Sequence, residues 1–355
     1  MFSFRTTAIG EQLDKALTDG RVGCFCTQNC WDASEGRYLY DLFRERGNLE
    51  ALFTPKSAEL APGTDHIDFS VERLRELDAI VVEIQDVGAR YFNYTKDVFH
   101  LMDILKLLGD DAPSMYVVDH ANPAGRAVEG SIPSGSCELF VPKAAHRHGL
   151  TLGELCNLYY SEIGARFALH VISAMAKDDN RVLMPWTIAP ASDIPGLFTC
   201  HMYGGGGLWN DTSITPGIGT PRPYEYIGAP FIKPGGTGNL PVPPGAVMRP
   251  CSFIPSYGRY AGERCYGYQI MMVPGEDYHS LLHTLQLMRY FSGHYSGFEI
   301  YGEFYLKLAD PVLADYIDGR IEFDEVREHV KTEEQKWIRK AKRFLLYEDQ
   351  PFRMK

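Results

Sequence analysis

The chain opens as short, strongly apolar runs separated by stretches of helical spacing. Residues 21–26 and 49–53 are apolar runs of strand length, and Tyr38–Arg46 between them has helical periodicity, which makes a βαβ unit. Ile80, Val81 and Val82 form a continuous β-branched run, the pattern of a strand buried on both faces of a parallel sheet. Val71–Leu77 precedes it as a helix. After it, Val98, Phe99, Leu101, Met102, Leu105 and Leu108 recur at helical intervals up to Gly109. Met115–Val118 and Phe167–Ile172 read as further strands, and Leu13–Leu17 as a short opening helix. Strands alternating with helices predict an α/β fold with a Rossmann-like parallel sheet. The first four strands end in polar turns: Thr27-Gln28-Asn29, Thr54-Pro55-Lys56-Ser57, Gln85-Asp86 and Asp119-His120-Ala121-Asn122.

The third of these turns is the densest in chemistry, with Glu83, Gln85, Asp86 and Arg90 inside eight positions. In open α/β sheets ligands sit outside the carboxyl ends of the strands, where this turn places its carboxylates, amide and guanidinium. An Asp–Arg pair that merely stiffens the turn is the competing reading. Thr151-x-x-Glu154 before an apolar run is a capping box, which assigns Glu154 to a helix start. His146 and His148 stand two apart without a nearby Cys or acidic partner, so no metal site is expected, and His148 reads as a hydrogen-bonding pocket residue.

Residues 185–250 are rich in Pro and Gly. With Trp186, Trp209, Arg222 and Tyr224 they read as an ordered binding loop, and Gly204–Gly207 within them as a flexible one. Beyond lie a strand at Tyr268–Val273, a helix around His279–Tyr290 and a closing helix from Phe323 towards Leu345, whose Lys336, Arg339, Lys340, Lys342 and Arg343 suggest a solvated face. The organisation expected is a Rossmann-like domain over residues 1–200 and a smaller α/β lobe over 201–355, with a cleft between them.

Composition narrows the function. At 355 residues, 45% apolar and 23% charged, the chain can bury a substantial core. A net charge of −11 argues against nucleic acid or an anionic membrane as partner. No run approaches the length of a transmembrane helix, and the N-terminus lacks a signal-like apolar region. The eight cysteines include Cys24-x-Cys26-x3-Cys30, which fits no zinc or cluster spacing, so reduced thiols in a cytoplasmic protein are expected. The turn after the first strand has no Gly-rich fingerprint, which removes nicotinamide and flavin, and no cofactor is expected.

Several separated motifs share an order and spacing. They are Glu83-Ile-Gln-Asp-Val-Gly-Ala-Arg-Tyr91 with Tyr94, Asn122-Pro123, Val128-Glu129-Gly130, Arg147-His148-Gly149 with Gly153-Glu154-Leu155, Gly219-Thr-Pro-Arg-Pro-Tyr-Glu225 with Ile227-Gly-Ala-Pro230, and Tyr260-Ala-Gly-Glu263. Together they resemble the bacterial exo-β-N-acetylmuramidase family. The resemblance implies a Rossmann-type domain joined to a smaller lobe, an active site in the cleft, and release of N-acetylmuramic acid from peptidoglycan fragments. The partner implied is a small carbohydrate or muropeptide.

Three departures fall on charged positions of the family pattern. Where the family reads roughly Gly-Pro-Glu-His-Gly this chain has Thr54-Pro55-Lys56-Ser57-Ala58. A Ser-Glu-Gly-Arg-Gly-Thr pattern becomes Thr215-Pro216-Gly217-Ile218-Gly219-Thr220, and Asp-Arg-Pro-Asn-Pro becomes Asp119-His120-Ala121-Asn122-Pro123. Glycoside hydrolysis ordinarily needs two carboxyl groups flanking the bond. Asp86 with Glu129 or Glu59 is the acid/base pair expected. Glu83, Gln85, Arg90, Tyr94, Lys56, Asp119, Asn122, His148 and Arg222 are the substrate-binding set. Two alternatives stay open: a catalytically impaired sugar-binding relative, and an enzyme of another class that holds an anionic metabolite through Lys56.

Overall fold

A computed structural model describes residues 5–18, 20–32, 35–55, 58, 69–134, 142–175, 188–233, 240–347 and 353–354. Its first sheet has five strands: β1 (Val22–Cys26), β2 (Leu49–Phe53), β3 (Ala79–Glu83), β4 (Ser114–Asp119) and β5 (Leu169–Ser173). They lie in the order β2-β1-β3-β4-β5 and every neighbouring pair is parallel. The two-residue alternation of strand side chains divides the core. Phe25, Ile80, Val82, Met115 and Val117 enter one apolar cluster, while Val22, Cys24, Cys26, Val81, Tyr116 and Val118 enter a second. Helices α1 (Arg5–Leu17) and α2 (Leu39–Arg46) cover the second with Ile9, Leu13, Leu17, Leu39, Tyr40 and Phe43. Helices α3 (Val71–Arg75), α4 (Asn93–Leu108) and α5 (Leu152–Ile163) cover the first. The predicted capping box opens α5: Thr151 Oγ1 accepts from the Glu154 amide at 3.3 Å, and Glu154 Oε2 accepts from the Thr151 amide at 2.9 Å.

The rest of the chain forms α6 (Leu197–Gly206), β6 (Tyr226–Ala229), β7 (Ala246–Phe253), β8 (Cys265–Met272), α7 (Ser280–His294), α8 (Phe304–Leu308), α9 (Pro311–Ile317) and α10 (Phe323–Ala341). The three strands make an antiparallel sheet in the order β7-β8-β6. The expected boundary at residue 200 falls within α6. The core on the α4/α5 face runs on without interruption through Trp209, Leu281, Leu285 and Trp337 of the second lobe.

Two readings of the 185–250 stretch are corrected. Gly204–Gly207 is no flexible loop: it ends α6 and enters the following 3₁₀ turn. A Cβ on Gly205 would lie 2.4 Å from the Ser280 carbonyl oxygen, so the glycine is what lets α6 and α7 touch backbone to backbone. Trp209 is a core residue packed edge-on against Phe291 at 5.9 Å, and Trp186 lies outside the described residues.

Buried polar groups join the lobes. Arg147 and Glu129 pair at 2.9 Å, with side chains 1% and 0% exposed. The other Glu129 oxygen accepts from Ser280 Oγ at 2.6 Å and the Leu281 amide at 3.1 Å, at the start of α7. There the carboxylate meets the positive end of the helix. Arg90 is spread over the same junction, donating to the carbonyls of Ser131 at 2.9 Å, Ala144 at 3.3 Å, Lys307 at 2.8 Å and Leu308 at 2.9 Å. Burial and the Arg90 charge hold His146 well below the usual imidazole range, which suits it to accept from Arg90 at 3.0 Å. Helix α10 returns to the first lobe, where Trp337 Nε1 donates to the His148 carbonyl at 2.8 Å and Glu334 accepts from the Gly130 amide at 3.0 Å. The segment after α10 closes over α5: the Leu346 amide donates to Glu154 at 3.0 Å and the Tyr347 hydroxyl to Asp119 at 2.7 Å.

Two outcomes are expected. Arg147→Met would strand a buried carboxylate and cost about 3–5 kcal/mol in urea unfolding, with Glu129→Gln milder because the amide keeps one acceptor. Burial pushes Asp119 up to about 7, although the Gly153 amide, Thr151 and Tyr347 hydrogen bonds pull the other way. The native state therefore holds this proton more tightly than the unfolded chain. The contribution is full below the ordinary carboxylate value of 3.8 and is lost as pH rises through about 7. Asp119→Asn should remove that slope from stability measured between pH 4 and 7; an unchanged slope would assign it elsewhere.

Candidate functional site

The strand order reverses direction at β1. The chain steps from β1 outward to β2, then crosses back to place β3 on the other side, so the carboxyl ends of β1 and β3 flank the switch point where folds of this kind bind ligands. Glu83 is the last residue of β3 and His120 follows the last residue of β4. Glu83 Oε1 and His120 Nε2 meet at 3.0 Å, with side chains 3% and 9% exposed. Glu83 lies on the sheet face of Cys24, Cys26 and Cys30. Burial first, and the Glu83 charge among lesser causes, raise all three thiols, so they are inert small hydrophobes.

The turn after β1 anchors the next wall. Gln28 Nε2 donates to the Ala189 and Pro190 carbonyls, both at 3.0 Å, and Asn29 Nδ2 to the Ile188 carbonyl at 2.9 Å. These bonds hold segment 188–194 against the switch point. Beneath it, the Thr27 hydroxyl and the Asn29 side-chain oxygen are buried with no hydrogen-bond partner among the described residues. Buried polar atoms are rarely left so, and a ligand group is one way to satisfy them. Segment 188–194 turns back on itself through the Ala191–Ile194 bridge and presents Asp193 to the second lobe, where Tyr257 donates to Asp193 Oδ1 at 2.7 Å.

The second-lobe wall is aromatic. Tyr203 and Tyr224 pack edge to face at 4.7 Å, Tyr91 meets Tyr203 at 6.3 Å, and Asn210 Nδ2 donates to the Tyr224 hydroxyl at 3.2 Å. Tyr224 has φ +62°, an uncommon conformation for a side chain this large. It is held by its amide, which donates to the Pro216 carbonyl at 2.6 Å. Gly219 in the same loop also has positive φ, and a Cβ there would lie 2.4 Å from the Tyr257 carbonyl oxygen. The loop therefore locks Tyr224 and Tyr257 side by side.

The residues picked from sequence distribute unevenly over this site. Glu83 is at the switch point. Gln85 folds inward, its amide donating to the carbonyls of Asp86 at 2.7 Å and Ala121 at 3.1 Å. Asp86 is 3% exposed; it accepts from the Gly88 amide and the Thr95 hydroxyl, both at 2.7 Å, and lies 3.3 Å from His148 Nε2. Burial would raise its pKa, but the His148 charge and these hydrogen bonds outweigh it and hold Asp86 below its ordinary value. Held in its ionised form by these contacts, Asp86 is poorly suited to donate a proton and serves the turn as an anion. Glu129 is likewise occupied, with both oxygens spent on Arg147 and α7. Arg90 and His148 serve the junction. Asp119 has no exposed surface and binds Thr151, Gly153 and Tyr347. Asn122 caps its own turn, donating to the Leu150 carbonyl at 2.8 Å and accepting from the Ala124 amide at 2.9 Å. Tyr94 is buried against Phe92. These residues hold the turns in place, and Arg90 and His148 also line a small pocket with Thr95, Phe99 and Leu155. Arg222 is half-exposed and pairs with Glu225 at 3.2 Å. Lys56 and Glu59 lie outside the described residues. Sequence reasoning missed Asp193, Tyr203 and Tyr257; only the polar turn at Gln28 hinted at what docks there.

No group of three or more His, Cys, Asp or Glu side chains able to hold a metal is found among the described residues, nor a helix long and apolar enough to cross a membrane.

Comparison with known proteins places these observations. Residues 64–190 match the family model described as Exo-beta-N-acetylmuramidase NamZ, N-terminal, and residues 201–347 match its C-terminal counterpart. The Peptidoglycan beta-N-acetylmuramidase NamZ of Bacillus subtilis (strain 168) is 31% identical over 230 residues, which is 61% of this chain and 54% of that protein. The chain thus matches about half the length of that relative. Two crystal structures of DUF1343 family proteins from Bacteroides fragilis NCTC 9343 share the fold. One has TM-score 0.79 at 19% identity, covering 97% of this chain and 98% of its own. The other has TM-score 0.75 at 20% identity, covering 97% and 99%. With both halves matched in order and the two-lobed fold shared end to end, the chain belongs to the exo-β-N-acetylmuramidase NamZ family.

Proposed function

We propose that the protein is a glycoside hydrolase of exo-β-N-acetylmuramidase type, acting on peptidoglycan-derived amino sugars. The observation that carries this reading is the family match across both lobes, which flank a switch-point crevice with a carboxylate–imidazole pair at its base. Hydrolysis requires a proton for the leaving oxygen and a carboxylate near the anomeric centre. Glu83 and His120 supply the proton: they share a hydrogen bond in a nearly dry site, and either can carry the proton while the other stabilises it. Of the tyrosine wall, Tyr257 is the exposed ring that suits a sugar face. The ligand is a small carbohydrate or muropeptide. The setting is cytoplasmic, supported by the described cysteines, all free and, except Cys251, buried.

Wild type should hydrolyse a chromogenic N-acetylmuramyl glycoside, and Glu83→Gln should lower kcat about 100- to 10,000-fold with the fold intact by circular dichroism. The same loss in His120→Gln would support the pair over the single carboxylate. Absence of turnover across N-acetylmuramyl and N-acetylglucosaminyl glycosides would overturn the hydrolase reading. Calorimetric binding of those sugars without turnover would recast the chain as a binding relative, in keeping with Lys56, Pro216 and Ile218 at charged positions of the family pattern.

A further inference from the structure

With Asp86 and Glu129 committed to the scaffold, the proposed reaction lacks a second carboxylate. Asp193 answers that need. It is partly exposed and sits on the tight turn between Ala191 and Ile194. That turn lies three residues beyond the carbonyls that Gln28 and Asn29 hold against the switch point. From the other lobe, the Tyr257 hydroxyl binds its Oδ1 at 2.7 Å. Its charge also reaches the buried phenols: after burial itself, Asp193 is among the groups that raise Tyr203 and Tyr224. Three tyrosines from the second lobe therefore surround one carboxylate carried on a loop docked to the first. Beside the same loop lie the unpartnered oxygens of Thr27 and Asn29. Tyr224 is held at positive φ, the kind of strain that persists where a surface must be shaped.

We propose that Asp193 is a catalytic residue of the hydrolysis, acting as the base that activates water. This rests on the hydrolase reading above. As the water oxygen bonds to the anomeric carbon, Asp193 takes one of its protons. The glycosidic C–O bond breaks with its electron pair passing to the leaving oxygen, and that oxygen takes the proton held by the Glu83–His120 pair. The Tyr257 hydroxyl fixes the position of the carboxylate. An acidic side chain whose only task is to staple the 188–194 loop to Tyr257 would make none of the predictions that follow.

Three variants of the full chain, assayed on a chromogenic N-acetylmuramyl glycoside, test this. Asp193→Asn keeps the shape and the acceptor for Tyr257, and should lower kcat about 100- to 10,000-fold while KM changes only a few-fold. Asp193→Ala should regain turnover when azide is added, because a small anion then occupies the vacated position and attacks in place of water. Tyr257→Phe removes one hydrogen bond from the carboxylate and should lower kcat several-fold with little change in KM. Asp193→Asn within three-fold of wild type, or a folded Asp193→Ala that azide does not revive, would overturn the assignment while leaving the hydrolase reading standing. A wild type without turnover would remove both.

Discussion

The buried pair between Glu129 and Arg147 is the contact on which the two-lobed arrangement depends. A charge moved from water into a protein interior is costly unless its partner and the remaining hydrogen-bonding positions are all supplied. Here they come from four places in the chain. Arg147 faces Glu129 and also reaches the Ala124 carbonyl and His201, while Glu129 takes Ser280 and Leu281 at the head of α7. The helices that bring these groups together must themselves touch, which Gly205 permits. His279 extends the network outward. Burial alone would lower its pKa, but Glu129 and Glu334 outweigh burial and raise it.

The positions at which this chain departs from its family pattern have structural work of their own. Pro216 provides the carbonyl that holds Tyr224 at positive φ, and Ile218 packs against the main core. His120 replaces a guanidinium with a group that can release a proton, and it does so beside Glu83.

The sheet was largely legible in the sequence because its determinants are local. Each apolar run marked a strand to within a few residues, and Thr151-x-x-Glu154 named its own helix start. What could not be read is which partners each polar residue takes. Asp86 and Glu83 are three positions apart in one motif and equally buried, yet one is bound by Gly88, Thr95 and His148 and the other pairs with His120. Nothing in their spacing separates them. Glu129 finds its second set of partners 151 and 152 residues later, at a helix start that sequence patterns locate but cannot orient. The Gly204–Gly207 run misled for a related reason: glycines permissive enough for a loop are also what a close helix crossing requires.

The tie between Asp119 and Tyr347 sets a timetable for the growing chain. The carboxylate at the end of β4 is made 228 residues before the phenol that completes its shell. At ribosomal speeds of about 5–20 residues per second the interval is roughly ten to fifty seconds. During it the end of β4, the capping carboxylate Glu154 and the carbonyl of His148 all wait for partners from α10 and the segment after it. The first sheet can assemble on its own apolar faces, but the edge that carries the crevice is finished last. A nascent or truncated chain would thus hold a formed sheet with an open, water-filled rim, and the crevice would take shape only once the second lobe had folded back across it.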